Sequence, residues 1–214
     1  MQIDFQQQRL HLHPFRAIYW EDTDTLFMAD LHLGKAAHFR KNGLAAPAII
    51  LQKNLEQLRI LLDTFAPQRV LFLGDLFHST INNVWMAFTA FMDDYREVQF
   101  DLIQGNHDIL DADYYAAARL VVHTEPLVVS PFIFSHYPLK AVPRLYYNFY
   151  GHIHPGVQLR GKGGQSLRLP CFHLGQRKGV LPAFGAFTGL AMIQATKGDE
   201  LYVIAGDKVL AVEV

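Results

Sequence analysis

Three short apolar runs in the first half of this chain stop on the same kind of residue. Thr25 to Ala29 ends at Asp30, Val70 to Leu73 ends at Gly74-Asp75, and Val98 to Ile103 ends at Gly105-Asn106. Between the first two, Pro47 to Phe65 places Leu51, Leu55, Leu58, Leu62 and Phe65 at helical spacing, and Pro67 closes that helix. A second helix is expected across Val84 to Met92. Strands alternating with helices predict a sheet with parallel pairs and helices packed on it. In open sheets of this kind, ligand sites gather beyond the carboxyl ends of the strands. The polar stops are therefore expected to converge.

The edges of the chain read differently. Leu10 to Phe15 and Ala17 to Trp20 are expected strands, with Glu21 to Asp24 as a turn before the first apolar run. After residue 125 the helical pattern gives way to short strands at Leu127 to Val129, Phe132 to Ser135, Leu167 to Leu169, Ala191 to Gln194 and Glu200 to Ile204, divided by glycines and prolines. The fold expected is α/β, a β-sandwich of mixed sheets flanked by helices. No repeat or long linker interrupts the 214 residues, so one domain over 1–214 is expected. Half of the residues are hydrophobic, enough for a sizeable core. With a net charge of -1, no global basic field favours nucleic acid, so affinity for a polyanion has to come from local patches and bound metal.

Cys171 stands alone in an apolar stretch, which excludes an internal disulfide and argues against a thiolate zinc site. The first residues lack the apolar core of a signal peptide, and no run of about 18 apolar residues predicts a membrane span. A cytosolic protein is expected.

Five segments carry the chemistry: Asp30-Leu31-His32, Gly74-Asp75, Gly105-Asn106-His107-Asp108, Ser135-His136 and Gly151-His152-Ile153-His154. In extended backbone, residues i and i+2 point the same way, so Asp30 with His32, and His152 with His154, are expected to share a side. Gly74, Gly105 and Gly151 suit tight turns or close backbone approach. The donor set of Asp30, Asp75, Asn106, His32, His136, His152 and His154 favours manganese, iron, zinc or nickel over magnesium. Seven ligands exceed what one tetrahedral zinc uses and suit two divalent ions sharing a carboxylate.

The ordered set D-x-H, G-D, G-N-H-D, a lone H and G-H-x-H resembles the calcineurin-like metallophosphoesterase superfamily. The resemblance implies one metal on Asp30, His32, Asp75 and His154, and another on Asp75, Asn106, His136 and His152, with manganese foremost. It further implies that His107 is the catalytic histidine outside the ligand set and that Asp108 orients it. A narrower resemblance runs over almost the whole chain. Asp30-Leu31-His32-Leu33-Gly34-Lys35 with His38-Phe39-Arg40, and Leu181 to Gly189, look like the DNA-ligase-associated phosphoesterase family PdeM. Leu190 stands where that pattern has a second glycine. This resemblance implies a repair nuclease acting on DNA, with an ATP-dependent DNA ligase and a DEXH-box helicase as associates.

Lys35, Arg40, Arg177, Lys178, Phe184 and Phe187 are the expected substrate contacts, the phenylalanines as stacking platforms for unpaired bases. The alternative for the phenylalanines is a loop that plugs the core. The alternative for Lys35 and His38 is an exposed helix start. His11, His13, His123 and His173 lack ligand spacing and read as surface or structural groups, while His78 follows Asp75 closely enough to support a ligand. Two other activities fit the same residues: hydrolysis of a small nucleotide, phosphomonoester or pyrophosphate-linked metabolite, and a non-catalytic scaffold.

Overall fold

The computed structural model describes residues 1–35, 50–78, 81–161, 163–186 and 188–213. Two sheets lie face to face. The first follows chain order through β1 (Gln2–Phe5), β2 (Gln8–His13), β3 (Ala17–Trp20), β4 (Thr25–Met28), β5 (Arg69–Phe72), β6 (Gln99–Ile103) and β7 (Leu120–His123). It is antiparallel up to β4 and parallel from β4 to β7. The connections out of β4 and β5 carry α1 (Ile50–Phe65) and α2 (Asn83–Asp93), and α3 (Ala112–Ala117) precedes β7. The start expected for α1 at Pro47 lies outside the described residues.

The second sheet holds β8 (Leu127–Val129), β9 (Phe132–Ser135), β10 (Tyr147–Tyr150), β11 (Pro155–Arg160), β12 (Ser166–Leu174), β13 (Lys178–Val180) and β14 (Ala191–Met192), with β15 (Glu200–Ala205) and β16 (Lys208–Val212) joined through β12. Within it β10 runs parallel to both β9 and β13, and the other pairs except β11 with β14 are antiparallel. The expected sandwich of mixed sheets is present.

Period-two alternation explains the layering. Leu26, Met28, Val70 and Phe72 turn outward to Leu58, Leu61, Leu62, Trp85 and Phe88 of the helices. Phe27, Leu71 and Leu73 turn inward and meet Phe132, Phe134, Phe149 and Phe172 between the sheets. The aromatic layer interlocks edge to face, as at Phe27 and Phe134 with ring centroids 5.1 Å apart. This double burial holds the carboxyl ends of β4, β5, β6, β9 and β10 in fixed relation, and each of the five chemistry-bearing segments leaves from one of those ends.

Strand β10 was not anticipated. Its residues Tyr147, Asn148 and Phe149 are all buried, so no alternation marks it. Asn148 is fully buried, and its amide donates to the Ile133 carbonyl, the Ser135 hydroxyl and the Phe149 carbonyl while accepting from the Leu139 amide. That one side chain fixes the loop after β9, where His136 sits.

Candidate metal centre

The loops after β4, β5, β6, β9 and β10 meet at one end of the sandwich. Asp30, His32 and His154 form one group of donor atoms within 4.8 Å of one another, and Asp75, His136 and His152 form a second. Asp75 lies between them. Its Oδ2 is 3.8 Å from His32 Nε2, and its Oδ1 is 3.5 Å from His136 Nε2. Asn106 joins the second group through Oδ1, 3.3 Å from His136 Nε2.

The backbone that delivers these side chains is not the extended chain expected. Asp30, His32, Asp75, His152 and His154 all have positive φ, between 48° and 68°. Each such non-glycine residue costs about 1–3 kcal/mol. Left-handed residues turn the chain sharply where it leaves a strand, and so Asp30 and His32 reach one group by curling rather than by alternating. Long-range hydrogen bonds hold the turns. Asp30 Oδ2 accepts from the His152 amide at 2.8 Å, Asp75 Oδ1 accepts from the His107 amide at 2.9 Å, and the Asp30 and His32 amides donate to the carbonyls of Gly74 and Asp75. Gly105 is required here, because a Cβ would stand 2.4 Å from both Asp75 N and Asp75 Oδ1.

The donor set fits two divalent ions. His136 Nδ1 donates to the Leu73 carbonyl at 2.9 Å, which leaves Nε2 as a lone pair aimed at His152 Nδ1, 3.2 Å away. His32 Nε2 and His154 Nε2 are likewise 3.2 Å apart. Two nitrogens about 2.1 Å from one ion, at octahedral to tetrahedral angles, stand roughly 3.0–3.4 Å from each other. Among the described residues, buried Asp30 Oδ1 and His32 Nδ1 have no hydrogen-bond partner. Burial, then Lys35 and the neighbouring imidazoles, push His32 down to about 2, which keeps the ring neutral as a ligand requires.

His107 is close by but differently placed. Its Nε2 is 3.9 Å from Asp75 Oδ2, and its side chain keeps 39% exposure, facing the open side of the site. Its ring lies against that of His78, with centroids 3.8 Å apart, and His78 also sits 5.4 Å from His32.

Asp108, expected to orient His107, makes its hydrogen bonds to backbone amides. Its carboxylate is buried and accepts from the Gly105 amide at 2.9 Å and the Phe77 amide at 3.1 Å, tying the loop after β6 to the loop after β5. Burial, which outweighs those amide hydrogen bonds, raises its pKa to about 6. A carboxylate beside backbone amides in a closed turn is satisfied locally, which is why it faces inward.

The expected substrate contacts fare unevenly. Lys35 lies beside His32, its amide bonded to the His32 carbonyl at 3.1 Å. Arg40 and Phe187, with His38, lie outside the described residues. Phe184 is 1% exposed in the core under the helices and has no face for a base. Its segment instead braces the first metal motif: Phe184 N donates to the Ala29 carbonyl at 2.8 Å and Gly185 N to the Asp30 carbonyl at 3.1 Å. Arg177 donates to the carbonyls of Val142, Pro143 and Arg144 and so holds a loop rather than reaching out. Lys178 pairs with Asn148 in the parallel register, upstream of the strand end where the site lies. His11, His123 and His173 are paired with Glu21, Asp101 and Asp199, and His13 accepts from the Phe15 amide.

Tyr137 was missed. It follows the lone histidine, its hydroxyl donates to Asn106 Oδ1 at 2.9 Å, and its ring lies 4.6 Å from that of His152. The signal available was its place directly after His136.

The family model for calcineurin-like phosphoesterases matches residues 24–186, so the chain belongs to the calcineurin-like phosphoesterases. That family binds two divalent metal ions, and this chain is accordingly a metal-dependent phosphoesterase. The crystal structure of Pseudomonas putida nuclease MPE is similar to it, with 30% identity, 99% of each chain covered and a TM-score of 0.84. Yfce, a phosphoesterase from E. coli, gives 13% identity and a TM-score of 0.44 over 88% of this chain and 97% of its own. Among curated proteins, nothing matches. No described helix is long and apolar enough to cross a membrane.

Proposed function

We propose that this chain hydrolyses phosphodiester bonds of DNA, single strands foremost, using two divalent ions of which manganese is the preferred pair. Asp75, with one oxygen toward each histidine group, is the observation that carries the two-ion reading. The likeness to a nuclease along 99% of both chains supports DNA as substrate. Asp30, His32, Asp75 and His154 would hold the first ion, and Asp75, Asn106, His136 and His152 would hold the second. Such ions activate water and neutralise charge on the phosphoryl oxygens. His107, exposed beside Asp75, donates a proton to the leaving oxygen or a hydrogen bond to the phosphoryl group. Asp108 holds the turn that presents it. Repair in the cytoplasm, alongside an ATP-dependent DNA ligase and a DEXH-box helicase, is the setting that the PdeM resemblance supports.

A second reading, hydrolysis of a small nucleotide or phosphomonoester, draws support from the burial of Phe184 and the engagement of Arg177, which remove two expected strand contacts. A matrix of metals against bis-p-nitrophenyl phosphate, p-nitrophenyl phosphate, and labelled single- and double-stranded DNA separates the two. Manganese-dependent cutting of the diester and of single strands is expected. Fast turnover of a nucleotide or sugar phosphate with DNA left intact overturns the nuclease reading.

A further inference from the structure

A cavity of about 310 Å³ opens between the turn after β2, the face of α1 and sheet two. Its charged side chains are Arg16 and Lys53, joined by Gln57, and no Asp or Glu lines it. Lys53 and Gln57 stand four residues apart on α1 and therefore share a face. Arg16 is half-buried, with left-handed backbone at φ 63° that turns its side chain inward. Its Nη1 donates to the carbonyls of Ala183 and Gly185 at 3.1 and 3.2 Å. Among the described residues, no carboxylate pairs with Arg16 or Lys53, and nearby Asp207 does not line the cavity.

Burial holds the Arg16 guanidinium below its ordinary value, the mark of a cation short of compensation. The protein as a whole carries 19 basic and 20 acidic residues, so two cations lining one cavity, with no acid among its described lining residues, make a local positive field against a near-neutral whole. An anion bound between them would relieve a charge that is costly to desolvate alone.

We infer that this cleft binds a phosphate group between the guanidinium of Arg16 and the ammonium of Lys53, with the Gln57 amide as a further donor. The cavity has room beyond the phosphate for the sugar attached to it. The site communicates with the metal centre through covalent neighbours. Arg16 grips the carbonyls of Ala183 and Gly185, and the amides of Phe184 and Gly185 grip Ala29 and Asp30. The phosphate comes either from a nucleic-acid strand, at a position away from the scissile bond, or from a free phosphate or mononucleotide. Only the strand source rests on the nuclease reading.

Lys53 is exposed and outside the metal centre, so K53A and K53E leave the fold and the turnover of a small chromogenic diester unchanged. Binding of a nuclease-resistant single-stranded oligonucleotide to the manganese-loaded protein is followed by fluorescence anisotropy across a salt series. A strand phosphate in the cleft predicts that K53A flattens the slope of log K against log salt by about 0.7, the share of one neutralised phosphate, and that K53E weakens binding about tenfold. A free phosphate predicts unchanged slopes, but a larger rise in Tm on adding inorganic phosphate to the wild type than to K53E. Phosphate at the metal centre affects both proteins alike and cancels in that difference. Should the protein bind no oligonucleotide, the nuclease reading falls and the phosphate comparison still decides the cleft. Variants that match the wild type in both slope and phosphate-dependent Tm overturn the inference.

Discussion

Two of the aspartate–histidine groups among the described residues are built in opposite ways. Toward the β7 edge of sheet one, fully buried Asp101 accepts from Arg69 Nε and Nη2 at 2.8 Å each, from Gln99 Nε2 at 2.8 Å and lies 2.5 Å from His123 Nε2. All these residues lie in regular strands. At the carboxyl ends of strands in the same sheet, Asp30 and Asp75 sit among four imidazoles on left-handed backbone, and Asp30 Oδ1 and His32 Nδ1 have no hydrogen-bond partner among the described residues. The first cluster is complete without a ligand. The second carries left-handed backbone and, at Asp30 Oδ1, a buried acceptor with no hydrogen-bond donor among the described residues, which a divalent ion would satisfy. Residue type alone does not separate a structural ion pair from a reactive site; what separates them is how fully each polar atom is satisfied.

The largest effect is expected from Asp75→Ala. Loss of the carboxylate between both groups removes both ions and lowers activity by more than the roughly 10²–10⁴-fold supplied by a lone acid or base. Elemental analysis reads the metal content, and retention of two ions would end the bridging assignment. His107→Gln should keep the metals and lower kcat by about 10²–10⁴-fold. Loss of an ion in that variant would make His107 a ligand.

Asp101→Asn tests the other side of the contrast. Removing one partner of a buried charge pair costs about 3 kcal/mol, at the low end because the Arg69 side chain keeps 23% exposure. The metal content should not change, and a denaturant melt measures the loss. Burial alone would raise the Asp101 pKa, but the hydrogen bonds from Arg69 and His123, with the nearby Arg69 charge, hold it below the usual carboxylate range. A depressed folded-state pKa contributes stability that is complete above about pH 4 and is lost as pH falls through the folded value. The gap in stability between wild type and variant should therefore shrink below about pH 4. A gap that widens on acidification would contradict the pairing.

The smallest effect is expected at Tyr137. Tyr137→Phe removes the hydroxyl that donates to Asn106 Oδ1 and should weaken the second ion by about 10–100-fold without touching the first. Metal titration of the apoprotein with two resolved affinities checks this. Equal weakening of both ions would assign Tyr137 a general packing role.

Much of the site could be read along the chain because its ligands follow strand ends. Asp30, Asp75 and Asn106 were legible as polar stops after apolar runs, and that pattern is local. Other features depend on contacts far apart in sequence. The strand Tyr147–Tyr150 hid because both its faces are buried, which erases alternation. Adjacency points Asp108 at His107, whereas its oxygens turn to the amides of Gly105 and Phe77. The sequence leaves Phe184 two roles, a stacking platform after basic residues or a plug of the core, and the pairing of its segment with Ala29 and Asp30 carries the ring into the core.

The sequence by itself determined the strand–helix alternation of the first half, the inventory of metal donors and the places of Asp30, Asp75, Asn106 and His136 at strand exits, because apolar periodicity and residue chemistry are written locally. Tertiary structure alone decided which way each of those side chains faces. Asp30 Oδ2 meets the amide of His152 across 122 positions, and His136 Nδ1 meets the Leu73 carbonyl across 63. Contacts of that range arise only once both sheets have closed on their shared aromatic layer, and their hydrogen bonds then hold the left-handed turns that local preference disfavours.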